Sequence, residues 1–270
     1  MNFIFISNDP QKCKIADICN VSTIMIDLEI NGKKERQGHL NTRISASHNI
    51  SDILKVSQLI DKSELMVRVN PIGTDSITEI SKCIELGCDR IMLPMFKSAK
   101  EVEEFLRIVD NKVKINLLFE TVESLLCVKD ILSIYRGDIH FGLNDLHIQF
   151  GYKFIFEVLF NNDFNTAVDY VRVNGVNFGI GGIARVGHGK IPSEIIYNEY
   201  INLGATSTIL SRDFDACFGF DKIFDTDLRA FYHEIKSLNH VEQDFLNFSK
   251  HDIQKNRSKL FDCIQDIISN

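Results

Sequence analysis

Short apolar runs alternate along this chain with longer stretches whose apolar residues recur every three or four positions. The first run, Phe3–Ile6 (FIFI), reads as a strand covered on both faces. Asp9 and Pro10 then predict a helix start, with the acid as cap and the proline where its missing N–H costs nothing. Thr23–Glu29 (TIMIDLE) is the second strand, Ser51–Ile60 a helix and Leu65–Asn70 (LMVRVN) the third strand. Ile77–Leu86 is a helix closed by Gly87, and Arg90–Pro94 (RIMLP) the fourth strand. A helix over Glu101–Val109 leads to the strand Val113–Phe119, and a helix over Glu123–Ile134 leads to Asp138–Phe141. Helical stretches near Phe154–Phe160 and Ala167–Val173 precede a Gly-rich strand, Asn177–Ile183 (NFGIGGI). Pro192–Leu203, closed by Gly204, is the last crossover helix before the strand Thr206–Leu210.

About eight strands with helical crossovers give an α/β fold of the (β/α)8 TIM-barrel type. An open Rossmann sheet would want a Gly-x-Gly-x-x-Gly turn after its first strand, and Ser7–Pro10 contains no glycine. The barrel is expected over 1–215, with additional C-terminal helices over 216–270. Phe245, Phe248, Leu260, Ile264 and Ile268 recur there at roughly helical spacing, as a barrel cap or a contact within a homo-oligomer.

Composition narrows the classes. The 270 residues, 44% hydrophobic with 4 prolines and 15 glycines, suffice for one large core. A net charge of −7 without any basic run argues against nucleic-acid binding. No apolar run approaches the about 18 residues of a membrane helix, and Phe3–Ile6 is too short for a signal segment. The 7 cysteines are odd in number and contain no Cys-x-x-Cys pair, which suits buried thiols in a reducing cytoplasm. The expectation is a cytoplasmic protein.

Barrel chemistry gathers where strands end. The second strand ends in Asp27 and Glu29, the third carries Arg68 and then Asn70, and the fifth ends in Glu120. The sixth is followed by Gly142, Asn144 and Asp145, the seventh by Arg185 and His188, and the eighth by Arg212 and Asp213. Glu120 and Asp145 lie after neighbouring strands, and two carboxylates make a hard-oxygen site suited to Mg2+ or Mn2+. The competing reading is that Glu120 pairs with a basic group or caps a helix. Arg68, inside an apolar strand, needs a counter-charge: Asp27 or Glu29, or else a substrate carboxylate or developing oxyanion. His39, His48, His140, His147 and His188 give no individual signal; His140 reads as a core residue.

Five segments in order resemble the HpcH/HpaI aldolase and citrate lyase β-subunit family. They are IMIDLE with the following Lys34 and Arg36, VRVN at Val67–Asn70, GCDRIMLPM at Gly87–Met95, LLFET, and FGLNDL ending in the Asp145 region. The resemblance implies a TIM barrel that binds a divalent cation, Mg2+ or Mn2+, through Glu120 and Asp145. It implies that Arg68 holds pyruvate or its enolate, and that the amides of Asn144 and Asp145 bind the keto-acid carboxylate. The departures concern proton transfer. The pyruvate aldolases carry an acid–histidine pair after the second strand, where this chain has Glu29-Ile30, and their Gly-Pro-x-Asp-Leu appears as Gly-Leu-Asn-Asp-Leu. The expectation is a carbon–carbon lyase acting on a hydroxy-oxo acid through a pyruvate-type enolate, with Glu29 or a metal-bound water moving the proton. A citrate lyase-like enzyme acting on malyl or citryl thioesters, favoured by Lys34 and Arg36, is the alternative. A degenerate barrel serving as a binding or assembly subunit is the alternative of another class.

Overall fold

Period-two alternation divides the strand residues between two cores. A computed structural model describes residues 1–30, 48–219 and 223–269. Its strands are β1 (Asn2–Ile6), β2 (Thr23–Asp27), β3 (Glu64–Arg68), β4 (Arg90–Leu93), β5 (Lys114–Phe119), β6 (Asp138–Phe141), β7 (Phe178–Ile183) and β8 (Ser207–Leu210). All pair in parallel with their sequence neighbours, and β8 closes on β1, which is the expected (β/α)8 barrel. Ile24, Ile26, Leu65, Val67, Leu117, Phe119, Ile139 and Phe141 point outward into the core shared with the helices. Ile4, Met25, Met66, Met92 and Leu118 form a separate cluster that fills the lumen.

The described helices are α1 (Pro10–Ile18), α2 (Ile50–Ser57), α3 (Ser76–Glu85), α4 (Ala99–Val109), α5 (Val122–Leu126), α6 (Val128–Ile134), α7 (Leu143–Gln149), α8 (Asn162–Val173), α9 (Ser193–Leu203), α10 (Phe224–Phe245) and α11 (Lys250–Ser269). Asp9 caps α1 as the sequence suggests, accepting from the N–H groups of Gln11 at 2.9 Å and Lys12 at 3.1 Å. Gly204 ends α9 in the left-handed conformation at φ 92°. The helix expected over Glu123–Ile134 divides at Cys127 into α5 and α6, and Ile155–Phe160 is a 3-10 turn. α10 packs on α1 and α9, and α11 on α9. Glu199, fully buried on α9, pairs with Arg257 of α11, and Asn256 Nδ2 donates to the Ile195 carbonyl at 3.0 Å. No described helix is long and apolar enough to cross a membrane. All seven cysteines are free thiols, and burial pushes Cys13, Cys83, Cys88 and Cys217 up to about 12.

At the lower end, where the strands begin, the charges are paired. Arg90 reaches Glu64 at 2.9 Å and Asp138 at 2.5 Å, and Lys114 also bonds Glu64. The groove lined by Asp61, Glu64, Asp89 and Lys114 opens at this end, away from the mouth.

Asp17, 2% exposed near the end of α1, ties that helix to the turn before β3. Its carboxylate accepts from the N–H groups of Asp61, Lys62 and Ser63 at 3.2, 2.8 and 2.8 Å. Burial acts to raise its pKa, but these donors outweigh burial and hold it below the ordinary 3.8. A carboxyl with a lower pKa in the folded state than in the unfolded one stabilises the fold fully above the unfolded value. That stabilisation is lost as pH falls through the folded value. Asp17→Ala is therefore expected to cost about 1–3 kcal/mol in urea unfolding at neutral pH, since three N–H groups, that of Ser63 buried, lose their acceptor. The parent should give up part of that advantage below about pH 4.

Candidate active site at the barrel mouth

The same alternation that fills the lumen carries polar groups to its mouth. Two positions beyond Met25, Met66 and Leu118 stand Asp27, Arg68 and Glu120, on strands whose side chains at those positions face inward. Asp27 and Arg68 are also register partners. Arg68 donates through Nε to Asp27 Oδ1 at 2.9 Å and through Nη2 to Asp27 Oδ2 at 2.8 Å. Glu29, 4% exposed, brings Oε2 to 3.5 Å from Arg68 Nε. Of the two counter-charges the sequence offered, Asp27 makes the two-point grip and Glu29 is the second neighbour. Burial works against the guanidinium charge; the carboxylates of Asp27, Glu29 and Glu120 outweigh it and raise the pKa further, so Arg68 stays charged. Its Nη1 makes no hydrogen bond among the described residues, which leaves a cationic edge for an anion.

Glu120, 3% exposed, is held from three sides. Its Oε1 accepts from the Met95 N–H at 3.2 Å. Met95 has φ 56°, an uncommon left-handed conformation for an unbranched apolar residue, and this strain sits directly on the site. The Glu120 carbonyl accepts from Gln149 Nε2 at 3.0 Å, and Gln149 Oε1 accepts from the Val122 N–H at 3.1 Å. Gln149 ends α7, the helix whose first turn carries Asn144, half-buried, and Asp145, 7% exposed. Gly142 caps that helix. A Cβ there would lie 2.8 Å from Glu120 Cβ and 2.9 Å from Glu120 Oε2, so the Glu120 carboxylate rests on Gly142, three residues before Asp145.

The glycine is thus needed for close approach, since its φ of −89° and ψ of 100° suit any residue. Gly142→Ala is expected to cost about 1–3 kcal/mol in chemical denaturation, because the new methyl group must displace the Glu120 side chain.

The histidines separate clearly. His140 is buried inside the barrel, with Nε2 3.1 Å from the Gly181 carbonyl, and desolvation lowers its pKa to about 4. Its Nδ1 has no partner among the described residues. The reading as a core residue holds, though its hydrogen bonding is only half satisfied. His188 lies by Arg185 and Asp213, whose guanidinium and carboxylate bond at 2.9 Å. His48, given no weight from sequence, accepts from the Asp27 N–H at 2.9 Å through Nδ1. Asn70 links the loops after β2 and β3: its Oδ1 accepts from the Ile30 N–H at 3.0 Å and its Nδ2 donates to Glu79 at 2.7 Å. His39, Lys34 and Arg36 lie outside the described residues.

Among the described residues, no three His, Cys, Asp or Glu side chains form a metal-binding group. Two buried carboxylates do fit a hard cation that keeps water or substrate oxygens as its other ligands, the usual manner of Mg2+.

The family model for HpcH/HpaI aldolase/citrate lyase matches residues 3–180. The chain belongs to that family. Membership supports a lyase-type activity at that coarse level. Among solved structures, an HpcH/HpaI aldolase from Desulfitobacterium hafniense DCB-2 shares 15% identity with a TM-score of 0.57, over 78% of this chain and 85% of its own. The citrate synthase variant SbnG shares 16% identity with a TM-score of 0.54, over 90% and 94%. At such identities these two likenesses concern the fold alone. No curated protein sequence matches the chain.

Proposed function

We propose that this family member is a divalent-metal-dependent carbon–carbon lyase, an aldolase that cleaves or forms a hydroxy-oxo acid through a pyruvate-type enolate. The observation that carries the reading is the placement of Glu120 against Gly142, three residues before Asp145, with charged Arg68, half-buried, in the same mouth. Glu120 and Asp145 would hold Mg2+ or Mn2+. The bound cation supplies a Lewis acid that favours the enolate form of the keto acid.

The chain's own groups supply the rest. The N–H groups of Asn144 and Asp145 bind the keto-acid carboxylate. Arg68 presents its Nη1 edge to the oxygen that gains charge. In cleavage the substrate hydroxyl gives its proton to Glu29, and that carbon becomes a carbonyl. The carbon–carbon bond breaks with its electron pair remaining on the keto-acid fragment as an enolate. Protonation of the enolate carbon by solvent gives the free keto acid. Condensation is the reverse.

The test is deuterium exchange into the methyl group of pyruvate with and without Mn2+. Metal-dependent exchange that Arg68→Lys weakens supports the reading. Exchange that is identical without metal speaks against it. Competition by acyl-CoA thioesters for the same site would move the assignment towards a thioester lyase.

A further inference from the structure

β7 contains three glycines, and the fold needs only two of them. A Cβ at Gly179 would lie 2.2 Å from His140 Nδ1 and 2.5 Å from Ser207 Oγ, so neighbouring side chains already occupy its place. Gly181 adopts φ 43°, and a Cβ there would lie 2.8 Å from Tyr200 Oη and 2.9 Å from Leu143 Cδ1. Gly182 differs on both counts. Its φ lies outside the left-handed region. A Cβ there would meet, among the described residues, only the Ile209 carbonyl oxygen at 3.6 Å and Ser211 Cβ at 4.0 Å, which is ordinary contact. Backbone and packing both admit a side chain at this position. Glycine weakens a strand interior, and where neither packing nor a left-handed turn demands it, it suits the close approach of a ligand.

Gly182 faces the lumen. It is the register partner of Ile209 on β8, and partners in a parallel ladder project from the same face of the sheet. Ile209 packs, with Ile6 of β1, on the cluster that fills the lumen. Gly182 is partly exposed, whereas Gly179, Ile180, Gly181 and Ile183 around it are buried. The lumen cluster closes the way from below, so solvent reaches this inward position through the mouth. Ile6 and Ile209 are partly exposed in the same way.

The mouth therefore has two unlike sides. Asp27, Arg68 and Glu120 project from β2, β3 and the end of β5, while Ile6, Gly182 and Ile209 project from the adjacent strands β1, β7 and β8. β7 is four strands from β3 in the closed barrel, so Gly182 lies diametrically across from Arg68. Arg185, just beyond β7, is turned to Asp213, which takes its Nε and Nη2 through both carboxylate oxygens. A carboxylate laid against Ile6 and Ile209 would lose its hydration without gaining a partner there, whereas a hydrocarbon would leave water favourably.

We propose that the β7–β8–β1 side of the mouth is the subsite for an uncharged hydrocarbon substituent on the carbonyl fragment released by carbon–carbon cleavage, and that Gly182 sets how large that substituent can be. This rests on the lyase reading above and names its substrate class. The keto-acid part stays on the charged side with Arg68 and Glu120. The released aldehyde carries its alkyl chain across the mouth, over Ile6 and Ile209, into the space that the missing side chain leaves.

The test uses condensation. The full-length protein with Mn2+ is assayed with pyruvate and acetaldehyde, pentanal or 4-oxobutanoate, whose carboxylate stands where pentanal has the end of its chain. The parent's kcat/KM is expected to be at least about tenfold higher for pentanal than for either of the others, the scale on which methylenes count in an apolar pocket. Gly182→Ala should lower the ratio of kcat/KM for pentanal to that for acetaldehyde by about tenfold, and Gly182→Val by about a hundredfold. The alanine variant is the one whose methyl group the neighbouring atoms admit, so the test does not depend on valine being tolerated.

An unchanged ratio in Gly182→Ala overturns the role of Gly182. A parent that prefers 4-oxobutanoate to pentanal overturns the apolar subsite. A parent that exchanges the methyl protons of pyruvate with Mn2+ but condenses no alkyl aldehyde overturns the subsite and leaves the lyase reading standing. A parent that does neither overturns both.

Discussion

Arg68→Met is expected to lower stability by about 3–5 kcal/mol and to remove turnover, because the buried Asp27 carboxylate loses the guanidinium that grips it at two points. Asp27 is 6% exposed, and both its oxygens bond the guanidinium. Glu29 at 3.5 Å and Glu120 would lose the same cation, so three acids would face one another in a narrow mouth. The double variant Arg68→Met with Asp27→Leu should recover much of the stability, since apolar replacement of a whole buried pair is often neutral or better. It should recover none of the activity. Urea unfolding of the two single variants and the double one gives the coupling between the residues. Equal stability of Arg68→Met and the parent would show that the pair is not the anchor its geometry implies.

Glu120→Gln should behave in the opposite way, with the fold kept and the chemistry lost. The amide oxygen can still accept from the Met95 N–H, and the side chain has the same size over Gly142. What disappears is the negative charge. Metal-dependent oxaloacetate decarboxylation should therefore fall by more than the about 10–100-fold that follows from disturbing groups around a metal's direct ligands. Its unfolding midpoint should move little. A variant that keeps the parent's rate at subsaturating Mn2+ would show that Glu120 is not a ligand.

The barrel and the outline of its mouth were legible because they follow from local pattern. Strand runs of two-residue period show which residue follows Met66 or Leu118 on the same face, and so bring Arg68 and Glu120 to the rim. Less legible was whatever depends on another part of the chain. His48 is distant from Asp27 in sequence, and nothing in its neighbours marks it as the acceptor of the Asp27 N–H. Gln149 holds Glu120 from the end of α7, a seven-residue helix. Its pattern is too short to show a period, and Gly142 and Gly151 at its flanks suggest a loop instead. The role of Gly142 is one of close approach, which needs the Glu120 side chain in place to be seen. β7 likewise reads as a plain Gly-rich strand, whereas its pairing with β8 shifts register between Gly179 and Gly182 and Gly181 adopts φ 43°.

The central claim is that Glu120 and Asp145 together hold a divalent cation at the mouth of this barrel. Titration of the full-length protein with Mn2+, following free ion by electron paramagnetic resonance, tests it most directly. One bound ion per chain is expected in the parent, with weaker binding in Gly142→Ala and loss of binding in both Glu120→Gln and Asp145→Asn. Binding by both carboxylate variants with the parent's affinity would contradict it.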